Sequence, residues 1–438
     1  MLSNVGGRIG RWLNIPVSAV KVSSRLQSTL TDNAPIINLN RPIIGQMENL
    51  MDIGSRSIFS EEHDMFRETA RKFFREKLQP HHFKWEQDGI VPREIWKLLG
   101  EHGFLGITSP EKYGGIGADF LSTVVLWEEQ WYAHCTSPDC SLSSDLVLPY
   151  IWSYGTEEQK VNYIPKFLSG DIIGSIAMSE PAAGSDLQGI RTNVVKDGDD
   201  WVMNGSKVFI TNGIAADLVI VVALMDKSVK PAKGMGLFLV EADTPGFTKG
   251  KNLSKIGLNG QDTAELFFDN VRLPKSALLG EEENKGWQML MEQLPVERLK
   301  VAVMGQAYSM WMFEETRKYV RERKAFGKTL ANLQTIQHKL AEMKTELCIG
   351  QAYVDQCILM HLKMAASGGI DHHQASMAKL WITELQNRVA TQCLQLHGGW
   401  GYMKEYPISR AFCDSRVTTI YAGSNEIMRE IIAKDIVA

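Results

Sequence analysis

The feature that most restricts what this chain can fold into is a double change of hydrophobic period along its length. From Ser60 the apolar residues Phe66, Ala70, Phe73 and Phe74 recur at helical spacing behind an acidic first turn, Glu61 and Glu62, and this pattern predicts a helix running until Pro80. Thr156 followed by Gln159 reads as a capping box ahead of Tyr163 and Ile164, so another helix should start there. Near Ile176 the period shortens. Asn204-Gly205 lies between Trp201-Val202-Met203 and Lys207-Val208-Phe209-Ile210 and predicts a hairpin turn, with Ser206 as a spacer. Leu218 to Leu224, Leu237 to Val240 and Leu266 to Phe268 are short apolar runs separated by Gly, Pro and Asp, as in a small antiparallel sandwich or barrel. Beyond Gly286 long helical runs return, at Trp311 to Tyr319, Ile336 to Leu347 and Ala375 to Leu394. The expected fold is therefore α+β: an N-terminal α-helical domain over 56–176, a middle antiparallel β domain over 177–285 and a C-terminal four-helix bundle over 286–438.

With 438 residues, 44% of them hydrophobic, the chain can bury a core large enough for two or three domains. A formal net charge of -4 lacks the basic surplus that a phosphate backbone demands, so nucleic acid is not an expected partner. The six cysteines, at 135, 140, 348, 357, 393 and 413, form no CxxC or Cys/His spacing; they read as reduced core thiols, and no metal is expected. No apolar stretch is long enough for a transmembrane segment. Residues 1–31 carry Arg8, Arg11, Lys21 and Arg25 and no acid before Asp32, which suits a mitochondrial transit peptide, with 32–55 as linker and the mitochondrial matrix as destination.

Two segments carry the functional signal. Ala177-Met178-Ser179-Glu180-Pro181-Ala182-Ala183-Gly184-Ser185-Asp186-Leu187-Gln188-Gly189 strings small and hydroxylic residues along a turn-rich stretch where backbone amides can approach a ligand. Taken alone it would pass for an interdomain loop. In Gln395-Leu396-His397-Gly398-Gly399-Trp400-Gly401-Tyr402, followed by Glu405, Arg410 and Asp414, the glycines could be a helix C-cap and the histidine a satisfied core residue. Together these stretches resemble the paired signatures of the acyl-CoA dehydrogenase family. Tyr113-Gly114-Gly115, Gly155-Thr156-Glu157-Glu158-Gln159, Asn204-Gly205-Ser206-Lys207 and Arg323-Lys324-Ala325-Phe326-Gly327-Lys328 follow in the family's order, from about residue 56 to the C-terminus. Phe209-Ile210-Thr211, Leu273-Pro274 and the run from Glu292 to Leu299 are most similar to the long-chain branch. One departure is Ala182 where the family has Gly, which calls for negative φ at that turn.

The resemblance implies a homotetramer with one FAD per subunit. Each subunit would oxidise a long-chain fatty acyl-CoA to its trans-2-enoyl-CoA in mitochondrial β-oxidation and pass electrons to electron-transferring flavoprotein. Isovaleryl or other branched-chain acyl-CoA oxidation, and a catalytically weak flavin-bound assembly protein, are the alternatives. By position in the family's motifs, Ala177, Met178, Ser179, Phe209 and Thr211 would line the flavin ring. Arg323 and Gln334 would reach the cofactor of a neighbouring subunit, and Gln395, Leu396, His397, Gly398 and Gly399 would hold its pyrophosphate and adenosine, with Ser424 and Glu426 beside them.

Removing a proton next to a thioester requires a carboxylate near the α-carbon and a donor on the thioester oxygen. Most of the family carries that base just after a C-terminal tyrosine, where this chain has Ala422 in Tyr421-Ala422-Gly423-Ser424-Asn425-Glu426. Alanine accepts no proton. The long-chain and isovaleryl members carry the base on a bundle helix before an arginine, a position that falls here on Glu297, followed by Arg298. Glu297 is thus the expected catalytic base. The Ala422 backbone N–H, with Gly423 after it, would serve the thioester oxygen, and Ser185 and Arg298 would be further substrate contacts.

Overall fold

A computed structural model describes residues 41–437. The expected transit peptide over 1–31 and the start of the linker lie outside these residues. The α+β architecture expected from the sequence is the one observed.

The N-terminal helices are α1 (Glu61–Phe73), α2 (Gln79–Asp88), α3 (Arg93–Glu101), α4 (Phe120–Tyr132), α5 (Leu148–Tyr154) and α6 (Glu157–Leu168). Ser60 caps α1, its Oγ accepting from the His63 N–H while its own N–H donates to His63 Nδ1, completing a capping box. The helix does not stop at Pro80. A π-helical segment, Phe74–Leu78, leads directly into α2, and Pro80 falls in the first turn of α2, where a missing N–H costs no intrahelical bond. The Thr156–Gln159 capping box of α6 forms as expected, and the Gln159 amide also donates to the carbonyls of Ser276 and Leu278, tying α6 to the sheet.

Buried charges fasten the segment before α1. Arg56 pairs with Glu128 of α4 and with Asp355; Arg67 bonds Glu128 at 2.6 Å and Glu129 at 2.8 Å; Arg71 reaches Glu129 at 2.7 Å. Glu128 and Glu129 are almost wholly buried, so each guanidinium compensates a carboxylate that water cannot reach.

The middle of the chain forms a seven-stranded sheet from β1 (Gly174–Ala177), β2 (Asn193–Asp197), β3 (Asp200–Thr211), β4 (Leu218–Leu224), β5 (Met235–Glu241), β6 (Phe247–Asn252) and β7 (Thr263–Leu273). Its order is β1-β4-β2-β3-β7-β6, with β5 on β4, and the pairs are antiparallel apart from those β4 makes with β1 and with Asn193 of β2. Asn204-Gly205 is not the hairpin turn. That turn is Gly198-Asp199, between the paired Asp197 and Asp200, with Gly198 at φ 66°. Asn204-Gly205 instead forms a bulge in the middle of β3, where a Cβ on Gly205 would lie 2.6 Å from Thr192 Cα. Glycine is there for space.

The C-terminal part comprises α7 (Gly286–Glu322), a two-strand excursion of β8 (Lys324–Ala325) and β9 (Lys328–Thr329), then α8 (Gln334–Lys363), α9 (His372–Leu396), α10 (Pro407–Ser415) and α11 (Asn425–Val437). α7, α8 and α9 all run beyond the spans read from periodicity. A helix packed on several sides loses the single apolar stripe that periodicity detects, and 22 of the 37 residues of α7 are buried. One hydrophobic core joins the first helices to the bundle, and a second joins α5, α6, β4, β5 and the start of α7. No helix among the described residues is long and apolar enough to cross a membrane, and no cluster there could hold a metal ion.

The bulge and the hairpin glycine make separable demands. Gly205→Ala is expected to destabilise the fold by roughly 2 kcal/mol or more, since backbone must move to admit the methyl group. Gly198→Ala, with nothing within 4 Å of its added Cβ, should cost only about 1–2 kcal/mol from its left-handed backbone. Urea denaturation of both variants measures the difference, and equal losses would show that Thr192 gives way.

Candidate active site

The site is organised by α7. Pro295 sits inside this helix without an N–H for the Met291 carbonyl, and the His372 ring bonds that carbonyl instead while its Nδ1 faces Arg298 Nη1 at 3.3 Å. Two residues on, Glu297 is only 8% exposed. Tyr150 of α5 donates its hydroxyl to Glu297 Oε1 at 3.2 Å. Burial pushes the Glu297 carboxyl above the usual carboxylate range, while the Tyr150 hydrogen bond and then the charges of Lys300 and Arg298 act the other way.

Glu297 faces a cavity of about 420 Å³ that also exposes Met178, Ser179, Ser185, Phe209, Thr211, Arg298, Ala422 and Gly423. The structure therefore brings together nine of the residues singled out from the sequence. Ala177 does not line the cavity; it is fully buried at the end of β1. Phe209 has φ 62° and a 70% exposed side chain, so its ring is turned out of β3 beside Thr211. Ala422 has φ 52° and Gly423 φ 90°, a left-handed pair whose Ala422 N–H takes no backbone partner among the described residues. Ala182 is not among the residues of positive φ, in keeping with its side chain.

The remaining expected residues lie elsewhere. Arg323 and Gln395 to Gly399 line a second cavity of about 630 Å³ with Tyr319 and Trp400, and Gln334 begins α8 between Leu330 and Ile336 of the same wall. Arg323 stands just past the C-terminal end of α7, about 39 Å of helical rise from Glu297, a distance that no single dinucleotide spans. Ser424 and Glu426 flank Gly423 and Ile427, so they border the first cavity and not the Gln395 to Gly399 stretch. One chain thus holds two separated cavities.

The donor set of the first cavity suits a planar ring with a hydrogen-bonding edge. Ser179 and Thr211 offer hydroxyls next to the Phe209 ring, Ile176 and Met178 give an apolar wall, and the buried Tyr421 hydroxyl and Arg298 Nε have no hydrogen-bond partner among the described residues. A flavin ring with an acyl thioester against it fits that chemistry.

Sequence reasoning missed several residues here. Tyr150 meets Glu297 from 147 positions away, and nothing in its neighbourhood announces it. Lys379, fully buried in α9, donates at 2.8 Å to both the Gly423 carbonyl and Asn425 Oδ1, fixing the turn that presents Ala422; burial, then the charge of Arg298, presses its pKa down to about 7. Its phase with Ala375, Ile382 and Gln386 along a buried helix face was a usable signal, since a lysine at core spacing must have a buried partner. Lys300 recurs one turn after Glu297 in the same manner.

Domain models described as acyl-CoA dehydrogenase N-terminal, middle and C-terminal domains match residues 60–171, 175–271 and 284–437. A long-chain specific acyl-CoA dehydrogenase, mitochondrial, of Sus scrofa is 58% identical over 391 residues, covering 89% of this chain and 90% of its own. Among solved structures, an acyl-CoA dehydrogenase from Geobacillus kaustophilus superposes with a TM-score of 0.84 at 49% identity, covering 87% of this chain and 99% of its own. A glutaryl-CoA dehydrogenase from Mycobacterium smegmatis in complex with FADH2 superposes at 0.80 with 31% identity, covering 86% and 95%.

Removing the Tyr150 donor removes a bond that favours the charged carboxylate, so Tyr150→Phe should shift protonation of Glu297 to higher pH. The carboxyl infrared band, identified by its loss in Glu297→Gln, reports that midpoint. An unchanged or lower midpoint would mean that Tyr150 does not stabilise the anion.

Proposed function

The chain belongs to the acyl-CoA dehydrogenase family, and from that premise we propose how its residues divide the work. It is a mitochondrial, FAD-dependent enzyme of the long-chain type, which dehydrogenates a fatty acyl-CoA between the α- and β-carbons. The observation that carries the division of roles is a buried carboxylate, Glu297, on the cavity wall that also presents Ala422, where no side chain can act as a base.

An α-proton beside a thioester is very weakly acidic, and a desolvated carboxylate with a raised pKa is the stronger base for it. Glu297 takes that proton. The Ala422 N–H, held by the left-handed turn that Lys379 anchors, faces the thioester oxygen where enolate charge grows. Bound FAD supplies the acceptor for the hydride leaving the β-carbon, so two electrons depart as the carbon–carbon double bond forms. Met178, Ser179, Phe209 and Thr211 hold the ring, with Ala177 behind them in the core, while Ser185 and Arg298 steady the substrate.

The separation of the two cavities supports assembly. In a homotetramer the cavity of Arg323, Gln334 and Gln395 to Gly399 would cradle the distal part of a cofactor whose ring lies in a neighbouring subunit, with that neighbour's own Ser424 and Glu426 alongside. We assign the domains as 56–176, 177–285 and 286–438 behind a transit peptide over 1–31 and a linker over 32–55, the compartment as the matrix, and the electron acceptor as electron-transferring flavoprotein.

Glu297→Gln keeps size and hydrogen bonding but removes proton affinity, so FAD and acyl-CoA should bind while stopped-flow flavin reduction slows by several orders of magnitude. Adding Ala422→Glu should restore part of the rate from the other side of the cavity. Near-normal reduction in the single variant would rule out Glu297 as the base. Arg323→Ala should lose FAD and weaken the tetramer together, read by flavin absorbance and sedimentation; a full complement of FAD in an intact dilute tetramer would refute the shared site.

A further inference from the structure

The cavity in front of Glu297 has an open and a closed end. Along α7 its lining passes from the partly exposed Met291 and Leu294 to the buried Glu297, Val301 and Met304, so an acyl tail with its α-carbon at the base runs toward the last two. Leu142, Leu146 and Ile427 add apolar side chains to the same lining, the first two from the π-helical segment Leu142–Val147.

Charge interrupts that lining. Lys300, one helical turn beyond Glu297, and Asp139 both line the cavity, with side chains only 3% and 12% exposed. The Lys300 ammonium carries three donors, and its one hydrogen-bond partner among the described residues is Asp139 Oδ1 at a long 3.5 Å, with Glu297 and Asp145 as further charges nearby. Asp139 is better served, since the same oxygen accepts from Ser141 Oγ at 2.8 Å and from the Leu142 N–H at 3.1 Å. The Tyr421 hydroxyl on the same lining is buried with no partner among the described residues. A plain alkane tail would seal this under-bonded ammonium and unpaired hydroxyl away from water, which is unfavourable for both.

We propose that the closed end of this cavity is an oxygen-recognition site, in which Lys300 and Tyr421, backed by Asp139, bind a hydroxyl or carbonyl oxygen on the acyl tail. The preferred substrate is then an oxygenated fatty acyl-CoA. This rests on the assignment of the Glu297 cavity as the acyl site. An oxygen at one distance from the thioester accepts from the ammonium and meets the Tyr421 hydroxyl, whereas a methylene there leaves both wanting, and sites built to bond a substrate oxygen discriminate strongly against analogues without it.

The test uses the FAD-loaded enzyme with palmitoyl-CoA and its monohydroxylated isomers, the hydroxyl moved carbon by carbon along the tail, and reads kcat/KM for each. One isomer is expected to exceed palmitoyl-CoA by at least about tenfold, with the advantage confined to neighbouring positions. That ratio should collapse toward one in Lys300→Met and in Tyr421→Phe, the second serving if the first does not fold. If no isomer surpasses palmitoyl-CoA, or the advantage persists in a folded variant of either residue, the proposal is overturned. If neither palmitoyl-CoA nor any isomer reduces the flavin, the acyl-site assignment falls and takes the proposal with it, a result distinguishable from equal turnover of all.

Discussion

The role proposed for Glu297 asks for a carboxylate that loses its water and yet stays ready to accept a proton, and the groups around it meet that constraint. Glu297 is held by one hydrogen bond, from Tyr150, and by the nearby charges of Arg298 and Lys300. Each of these lowers the proton affinity that burial raises, so adding donors would make it a weaker base and removing them would raise its pKa further. That balance explains why the residues around it arrive from so many elements: α5 brings the hydroxyl, α7 the carboxylate and both cations, and the turn before α11 the facing backbone.

α7 imposes the second condition. Its first residue packs on β5, where a Cβ on Gly286 would lie 2.9 Å from the Gly236 carbonyl carbon, and its last turn reaches Tyr319 and the second cavity. One continuous helix thus fixes the separation of the two cavities. Pro295 falls beside the base, and the carbonyl it leaves without an intrahelical donor is taken up by the ring that also faces Arg298. An interruption in the helix is thereby turned into support for the turn that carries Glu297 and Arg298.

Much of this was legible in the sequence because it is local. The Thr156–Gln159 capping box, the acidic start of α1 and the α, β, α order depend on residues a few positions apart, and each is observed. Asn204-Gly205 misled for the complementary reason: as a dipeptide it suits a tight turn, but the contact that demands its glycine comes from Thr192, across the sheet. Pro80 misled likewise, since a proline ends one helix and begins another with the same ring. Glu297 itself was reached through family resemblance, and its surroundings were not. Tyr150, Lys379, Tyr421 and the Asp139–Lys300 pair act across long sequence separations that no periodicity encodes, although two lysines in phase with buried positions were visible clues.

The buried charges ahead of α1 bear on how far the front of this protein can be trimmed. Arg56 serves Glu128 and Asp355 at once, on helices from opposite ends of the chain, and Arg41 bonds Asp64 at 2.7 Å. A protease that cut before Arg41 would leave these pairs whole. One that cut past Arg56 would leave the buried Glu128 with Arg67 as its one remaining guanidinium and the partly buried Asp355 with the Gln351 amide as its remaining donor, which weakens the tie between α4 and α8. How far the front of the chain tolerates trimming is therefore set by electrostatics inside the fold.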